Sequence, residues 1–174
     1  PLNPYAVSKT TQDMLSQVYF LSYGLNVIRT RMFSYINPRR LNLFASHFAY
    51  QIVQIERGKL DKLRHGNLDS QRTLIDIRDA VKAYWLSFEF GKAGDVYNIG
   101  GQHPILVGEV LEILLKKAKV KIQTEQDPKL MRPTDLKYQI PNTDKFSSLT
   151  GWSPQYSLDE SLDFLLSEMR LRFA

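Results

Sequence analysis

Residues Pro1–Lys9 read PLNPYAVSK. Asn3 supplies a side-chain acceptor, and Pro4 lacks the N–H that a first helical turn leaves unused, so the stretch marks a helix N-terminus. Ala6, Val7, Met14, Leu15, Val18 and Leu21 then recur at helical spacing as far as Tyr23, with Gly24 as the stop. Tyr19, Phe20 and Tyr23 widen the apolar surface so far around the cylinder that the helix is expected to pack on both a core and a neighbour. On such a helix Tyr5 and Lys9 stand one turn apart on one face. By itself that spacing favours an ordinary surface pair over an active site, because this composition produces it by chance.

The rest of the chain supplies context. LNVIRTRMF (25–33) alternates Val27, Arg29, Arg31 and Phe33 against Ile28, Thr30 and Met32, a strand running into the loop SYINPRR (34–40). A second helix is expected from Asn42 to Gly58. KLRHGNLDSQRTLIDI (62–77) reads as strand, turn and strand, the turn being HGNLDS. Asp79 or a neighbour is expected to cap the helix AVKAYWLSFEF (80–90). GDVYNIGG (94–101) is a short strand ending at a glycine pair, without the spacing of a dinucleotide fingerprint. Beyond it come a helix in GEVLEILLKKA, a strand in KIQTEQ, the loop DPKLMRPTD, a strand near KYQI, a short helix in TDKFSSLTG and a last helix in SLDESLDFLLSEMRLR. Strands alternate with helices throughout, so the fold class is α/β.

Bulk composition narrows the function. The 174 residues, 43% hydrophobic, suffice for a core, and the absence of cysteine removes disulfides, thiol nucleophiles and thiolate metal sites. No apolar run approaches the roughly 18 residues of a membrane span, and no signal pattern opens the chain, so a cytoplasmic protein without membrane partners is expected. A net charge of +5 admits an anionic ligand. Its 23 basic residues are interleaved with 18 acidic ones, and the one dense cluster, LKKAKVK, sits where cations favour a helix C-terminus; a nucleic-acid partner is not expected. His47, amid Phe44, Phe48 and Ala49, has no second ligand beside it in sequence and reads as structural; no metal site is expected.

Taken in order, NPYAVSK, VIRTRMFSYINPRR, GNLDSQRTLIDIRDAV, VYNIGG, RPTD and LTGWSPQYSLDESL resemble the second half of the extended short-chain dehydrogenase/reductases that act on nucleotide sugars. Within that group they look nearest to the GDP-mannose 4,6-dehydratases and the GDP-6-deoxy-mannose (rhamnose) reductases. The resemblance implies the C-terminal part of a Rossmann-like doubly wound domain plus a smaller α/β nucleotide-sugar-binding lobe. Residues 1–35 would end the NAD(P)-binding domain, and 36–174 would be mainly the lobe. It also implies NADP or NAD as cofactor, with a site incomplete in this chain because the glycine-rich loop belongs to the first half. A homodimer or tetramer through helix 4–23 is the implied assembly. The chain read as a fragment is then expected to be inert by itself.

Roles follow from the same resemblance. Tyr5 would be the acid/base at the sugar C4 oxygen, and Lys9 would stabilise its phenolate and hold the nicotinamide ribose. Phe33 and Ser34 stand where relatives carry Phe-Asn, beside cofactor and substrate. Arg39, in Asn37-Pro38-Arg39-Arg40, leans to the dehydratase pattern. Arg72 and Arg132 match the two arginines that face the nucleotide diphosphate, a task suited to charge-assisted bidentate bonds. Asp135 would accept from the ribose hydroxyls, and Asn67 and Leu68 would reach the base. Trp152 is expected to pack the last helix onto the lobe. Dehydratase, reductase and epimerase of the same superfamily stay open here, as does a non-catalytic nucleotide-sugar-binding or interaction module, which Ser34 and Thr73 keep in view as departures from the family pattern.

Overall fold

Asn3 caps helix α1 (Pro4–Tyr23) through its side chain, which accepts the Ala6 amide at 2.9 Å. Gly24, at φ 64°, ends the helix in the left-handed region that favours glycine. The computed structural model describes residues 1–131 and 134–174. After α1 come β1 (Arg29–Met32), β2 (Tyr35–Ile36), α2 (Phe44–Glu56), β3 (Leu63–His65), β4 (Gln71–Thr73), β5 (Ile75–Asp76), α3 (Ile77–Phe90) and β6 (Val96–Ile99). The second half holds β7 (Pro104–Leu106), α4 (Val107–Lys116), β8 (Thr124–Gln126), a 3-10 turn at Pro128–Leu130, β9 (Tyr138–Gln139), α5 (Asp144–Thr150) and α6 (Leu158–Arg172).

Strand β6 returns to lie parallel beside β1, from Arg29 opposite Val96 to Met32 opposite Ile99. Ile75, Ala80, Ala83, Tyr97, Ile99, Phe146 and Trp152 bury a core among these strands, α3 and α5. A second core lies between α2, α4 and α6, where Phe48, Ile52, Val110, Leu114, Leu165 and Met169 are buried together. The Glu56 carboxylate at the end of α2 accepts two guanidinium bonds from Arg170 of α6, at 2.7 and 2.9 Å, and the Lys119 amide at 2.9 Å.

Four sequence expectations shift. Helix α2 begins at Phe44 rather than Asn42, because two tight turns, Arg40 N–H to Asn37 O and Leu43 N–H to Arg40 O, use up the intervening residues. The two strands in 62–77 do not pair with each other: β3 runs parallel to β8, and β4 lies between β7 and β9. The helix after them is capped by Asp76, whose carboxylate accepts the Arg78 amide at 2.9 Å. Asp79 is instead buried and accepts the amides of Gln155 and Tyr156 from across the fold. Trp152 packs against Phe146 with the rings tilted by 58° and their centroids 5.6 Å apart, in the core beneath β6 rather than on α6.

Helix α1 also differs from expectation within this chain. None of its residues is buried, and Met14, Leu15, Val18 and Leu21 are exposed. Its half-buried stripe is Ala6, Asp13, Ser16, Gln17 and Phe20, mostly polar. Phe20 sits over Gly94, where an added Cβ would come within 2.3 Å of the ring.

Candidate active site

The α1 face carrying Tyr5 and Lys9 is open, with Tyr5 69% exposed. Lys9 Nζ lies 5.7 Å from the Tyr5 ring centroid and donates to Gln12 Oε1 at 2.9 Å. A phenol and an ammonium so placed can exchange a proton with a ligand while the cation offsets the phenolate charge. The polar stripe of the same helix faces β1. There Asp13 accepts from Arg31 at 2.6 and 3.3 Å and lies 3.5 Å from Arg29, whose other terminal nitrogen donates to Gly94 O. Hydrogen bonding from Arg31 holds the Asp13 carboxyl below its ordinary range.

Phe33 and Ser34 follow β1 directly, both half-buried. The Phe33 amide donates to Ile99 O at 2.8 Å, and Ser34 O accepts from the Ile75 amide at 3.3 Å, so the backbone here is fixed to β6 and β5. Gly100 permits this close approach: a Cβ there would stand 2.9 Å from the Phe33 Cβ.

A second cluster gathers three residues predicted from sequence. Asp135 Oδ2 accepts Asn67 Nδ2 at 3.0 Å and Ser70 Oγ at 2.7 Å, while Asp135 Oδ1 meets Arg72 at 3.1 Å. Arg72 also donates to the carbonyls of Gln71 and Leu136, at 2.7 and 2.8 Å. Among the described residues these bonds use three of its five N–H donors. Ser70 is a member that sequence reasoning missed; it stands within GNLDSQR, but its partner lies 65 positions away. Leu68 turns elsewhere, packing against the core of α2, α4 and α6 and accepting the Gly108 amide with its carbonyl. Arg39 is exposed at a shallow cavity with Glu168 and Arg172, and its neighbour Arg40 donates to the Tyr35 hydroxyl at 2.9 Å. Arg132 lies outside the described residues.

A cavity of about 670 Å³ lies between the Gly101–Ile105 loop and Ser153–Leu158 and is lined by none of the predicted site residues. Burial lowers the pKa of His47, which keeps its imidazole neutral near pH 7. Among the described residues no cluster of three or more His, Cys, Asp and Glu could hold a metal ion, and no helix is long and apolar enough to cross a membrane.

Residues 1–164 match the family described as GDP-mannose 4,6 dehydratase. The chain belongs to that family. It is 30% identical to the GDP-6-deoxy-D-mannose reductase of Pseudomonas aeruginosa, over 99% of this chain and 57% of the relative. It is 24% identical to a GDP-mannose 4,6-dehydratase of Yersinia enterocolitica, over 92% of this chain and 51% of the relative. The solved structure of RMD from Pseudomonas aeruginosa complexed with NADPH superposes with a TM-score of 0.89 at 29% identity, over 99% of this chain and 58% of that one. A dTDP-glucose 4,6-dehydratase from Bacillus anthracis in complex with NAD gives a TM-score of 0.79 at 26% identity, over 97% and 52%. The chain thus spans little more than half the length of these two relatives.

Proposed function

We propose that these 174 residues are the C-terminal part of an NAD(P)-dependent nucleotide-sugar enzyme that reduces the 4-keto group of a GDP-6-deoxy sugar. The observation that carries this reading is the Tyr5–Lys9 pair on the open face of α1, ahead of a strand whose end is fixed at Phe33 and Ser34. In this reading residues 1–35 close the cofactor domain, and 36–174 are mainly the substrate lobe. The reductase is preferred because that likeness, in identity and in TM-score, exceeds the dehydratase ones reported above. The alternative, dehydration of a GDP-hexose, is favoured by Asn37-Pro38-Arg39-Arg40 and uses the same tyrosine in the opposite direction.

The donor set fits a nicotinamide dinucleotide: the Lys9 ammonium suits ribose hydroxyls, and the Tyr5 hydroxyl, Phe33 and the Ser34 hydroxyl would line its reactive end. When bound, that group supplies the hydride. Tyr5 gives its phenolic proton to the C4 oxygen as the carbonyl becomes an alcohol, and Lys9 stabilises the phenolate left behind. Arg72 would meet the diphosphate with the N–H groups it does not use within the cluster, with Arg132 as the second arginine. Asp135, with Asn67, orients the nucleoside.

The test is NADPH consumption by the full enzyme with a GDP-4-keto-6-deoxy sugar. Tyr5→Phe is expected to lower kcat by roughly 10²- to 10⁴-fold, the usual reach of acid/base catalysis, with nucleotide binding unchanged. A Tyr5→Phe enzyme of full activity would discard the reading, and GDP binding without turnover in the unaltered enzyme would support a non-catalytic module.

A further inference from the structure

Helix α1 carries the proposed chemistry yet buries none of its own residues in this chain, so a few localised contacts must tie it to the strand beside it. Two contacts do so. At the C-terminal half, Phe20 rests on Gly94. Nearer the pair, one turn beyond Lys9, the Asp13 carboxylate receives both Arg31 Nε and a terminal Arg31 nitrogen, a bidentate geometry that fixes direction as well as distance. Arg29 adds a third contact and is itself anchored to Gly94 O. Arg29 and Arg31 are alternate residues of β1, so their side chains leave one face of the strand toward the helix. The carboxylate is only 22% exposed, which lessens screening by solvent.

We propose that Asp13 is a positioning residue. Its clamp on Arg31 and Arg29 fixes the rotation and axial placement of α1 on β1, and so fixes where the Tyr5 hydroxyl and Lys9 ammonium stand relative to Phe33 and Ser34, which begin at the end of that strand. The inference rests on the functional reading above and adds a residue to it. A second consequence concerns Lys9. Lys and Asp four apart on a helix attract each other, but an Asp13 already held by two guanidinium groups leaves the ammonium beside Tyr5 and Gln12.

The nucleotide-binding cluster at Asn67, Ser70, Arg72 and Asp135 does not depend on this clamp, and that separation makes the role testable. In the full enzyme Asp13→Asn is expected to lower kcat about tenfold, in keeping with the cost of a slight misplacement of reacting groups, while KM for the GDP-sugar changes by less than about twofold. Asp13→Glu, which keeps the charge, should recover most of the loss. Hydrogen exchange should quicken in α1 but not in α2, α4 or α6. An Asp13→Asn enzyme with unaltered kcat, with kcat and KM falling away together, or with exchange faster throughout the chain would overturn the proposal. Tyr5→Phe measured alongside separates the two ideas: full activity there defeats the functional reading, and the clamp is then decided by whether exchange quickens in α1 alone.

Discussion

Arg72 and Asp135 meet at 3.1 Å across 63 residues of chain, and through Leu136 O the same guanidinium holds the segment ahead of β9 against β4. The pair therefore ties the two segments together and, in the proposed reading, also presents the cation to the diphosphate. Arg72→Lys keeps a charge but cannot reach Asp135 and Leu136 O together in one plane. It is expected to weaken GDP binding roughly tenfold, and Arg72→Ala by more, as the loss of charge-assisted bonds requires. Calorimetric titration with GDP measures both; equal affinity in the lysine variant would mean that the planar fork has no part in binding.

Asp79 offers a test of the fold without touching the site. It is 1% exposed, and its two oxygens accept the Gln155 and Tyr156 amides at 3.1 Å, holding the segment after Trp152 on α3. Asp79→Ala strands two backbone donors and is expected to cost about 3 kcal/mol, the range for breaking a buried hydrogen-bonded group. Urea unfolding would check it, and a loss below 1 kcal/mol would show that water replaces the carboxylate.

The Glu56–Arg170 pair links α2 to α6 and gives the stability a pH signature. Hydrogen bonding from Arg170 holds the Glu56 carboxyl below its ordinary 4.5. A carboxylate depressed in the folded state stabilises fully above its unfolded value and loses that contribution as pH falls through the folded one. Arg170→Met should thus cost about 2 kcal/mol at pH 7, somewhat less than a fully buried pair because Arg170 is a quarter exposed. The gap between wild type and variant should narrow steadily below pH 4.5. A gap constant from pH 7 to pH 3 would assign the effect to packing of the arginine stem.

Long amphipathic segments were legible from sequence because a period needs several turns to declare itself: α4 and α6 fall within two residues of where their apolar residues put them, and α3 within three. Strands of two or three residues, such as Tyr35–Ile36, Ile75–Asp76 and Pro104–Leu106, carry no period and exist only through partners far along the chain. Trp152 could be recognised as a core residue, but not which core, since Phe146 and the β6 side chains decide that. At the candidate site, Tyr5, Lys9, Asn67, Arg72 and Asp135 were singled out by the resemblance of ordered motifs to the family. Ser70 and Asp13 did not, because a serine in a turn and an acid on a helix acquire meaning only when Asp135 and Arg31 arrive.

The contact between Phe20 and Gly94 yields the last prediction. Gly94 has φ 82°, a region costly to other residues, and a Cβ added there would lie 2.3 Å from Phe20 Cε1. Gly94→Ala must therefore strain the backbone and push the ring outward, at an expected cost of about 2–4 kcal/mol. Phe20 is part of α1, so the displaced ring would lift the C-terminal half of the helix and load the Asp13 clamp. Replacing the ring as well, in Phe20→Ala with Gly94→Ala, removes the collision but keeps the backbone strain. If sterics dominate, the double variant should lose less than the sum of the two single losses, and a thermal denaturation cycle measures that difference. Additive losses would place the whole cost of Gly94→Ala in the glycine backbone.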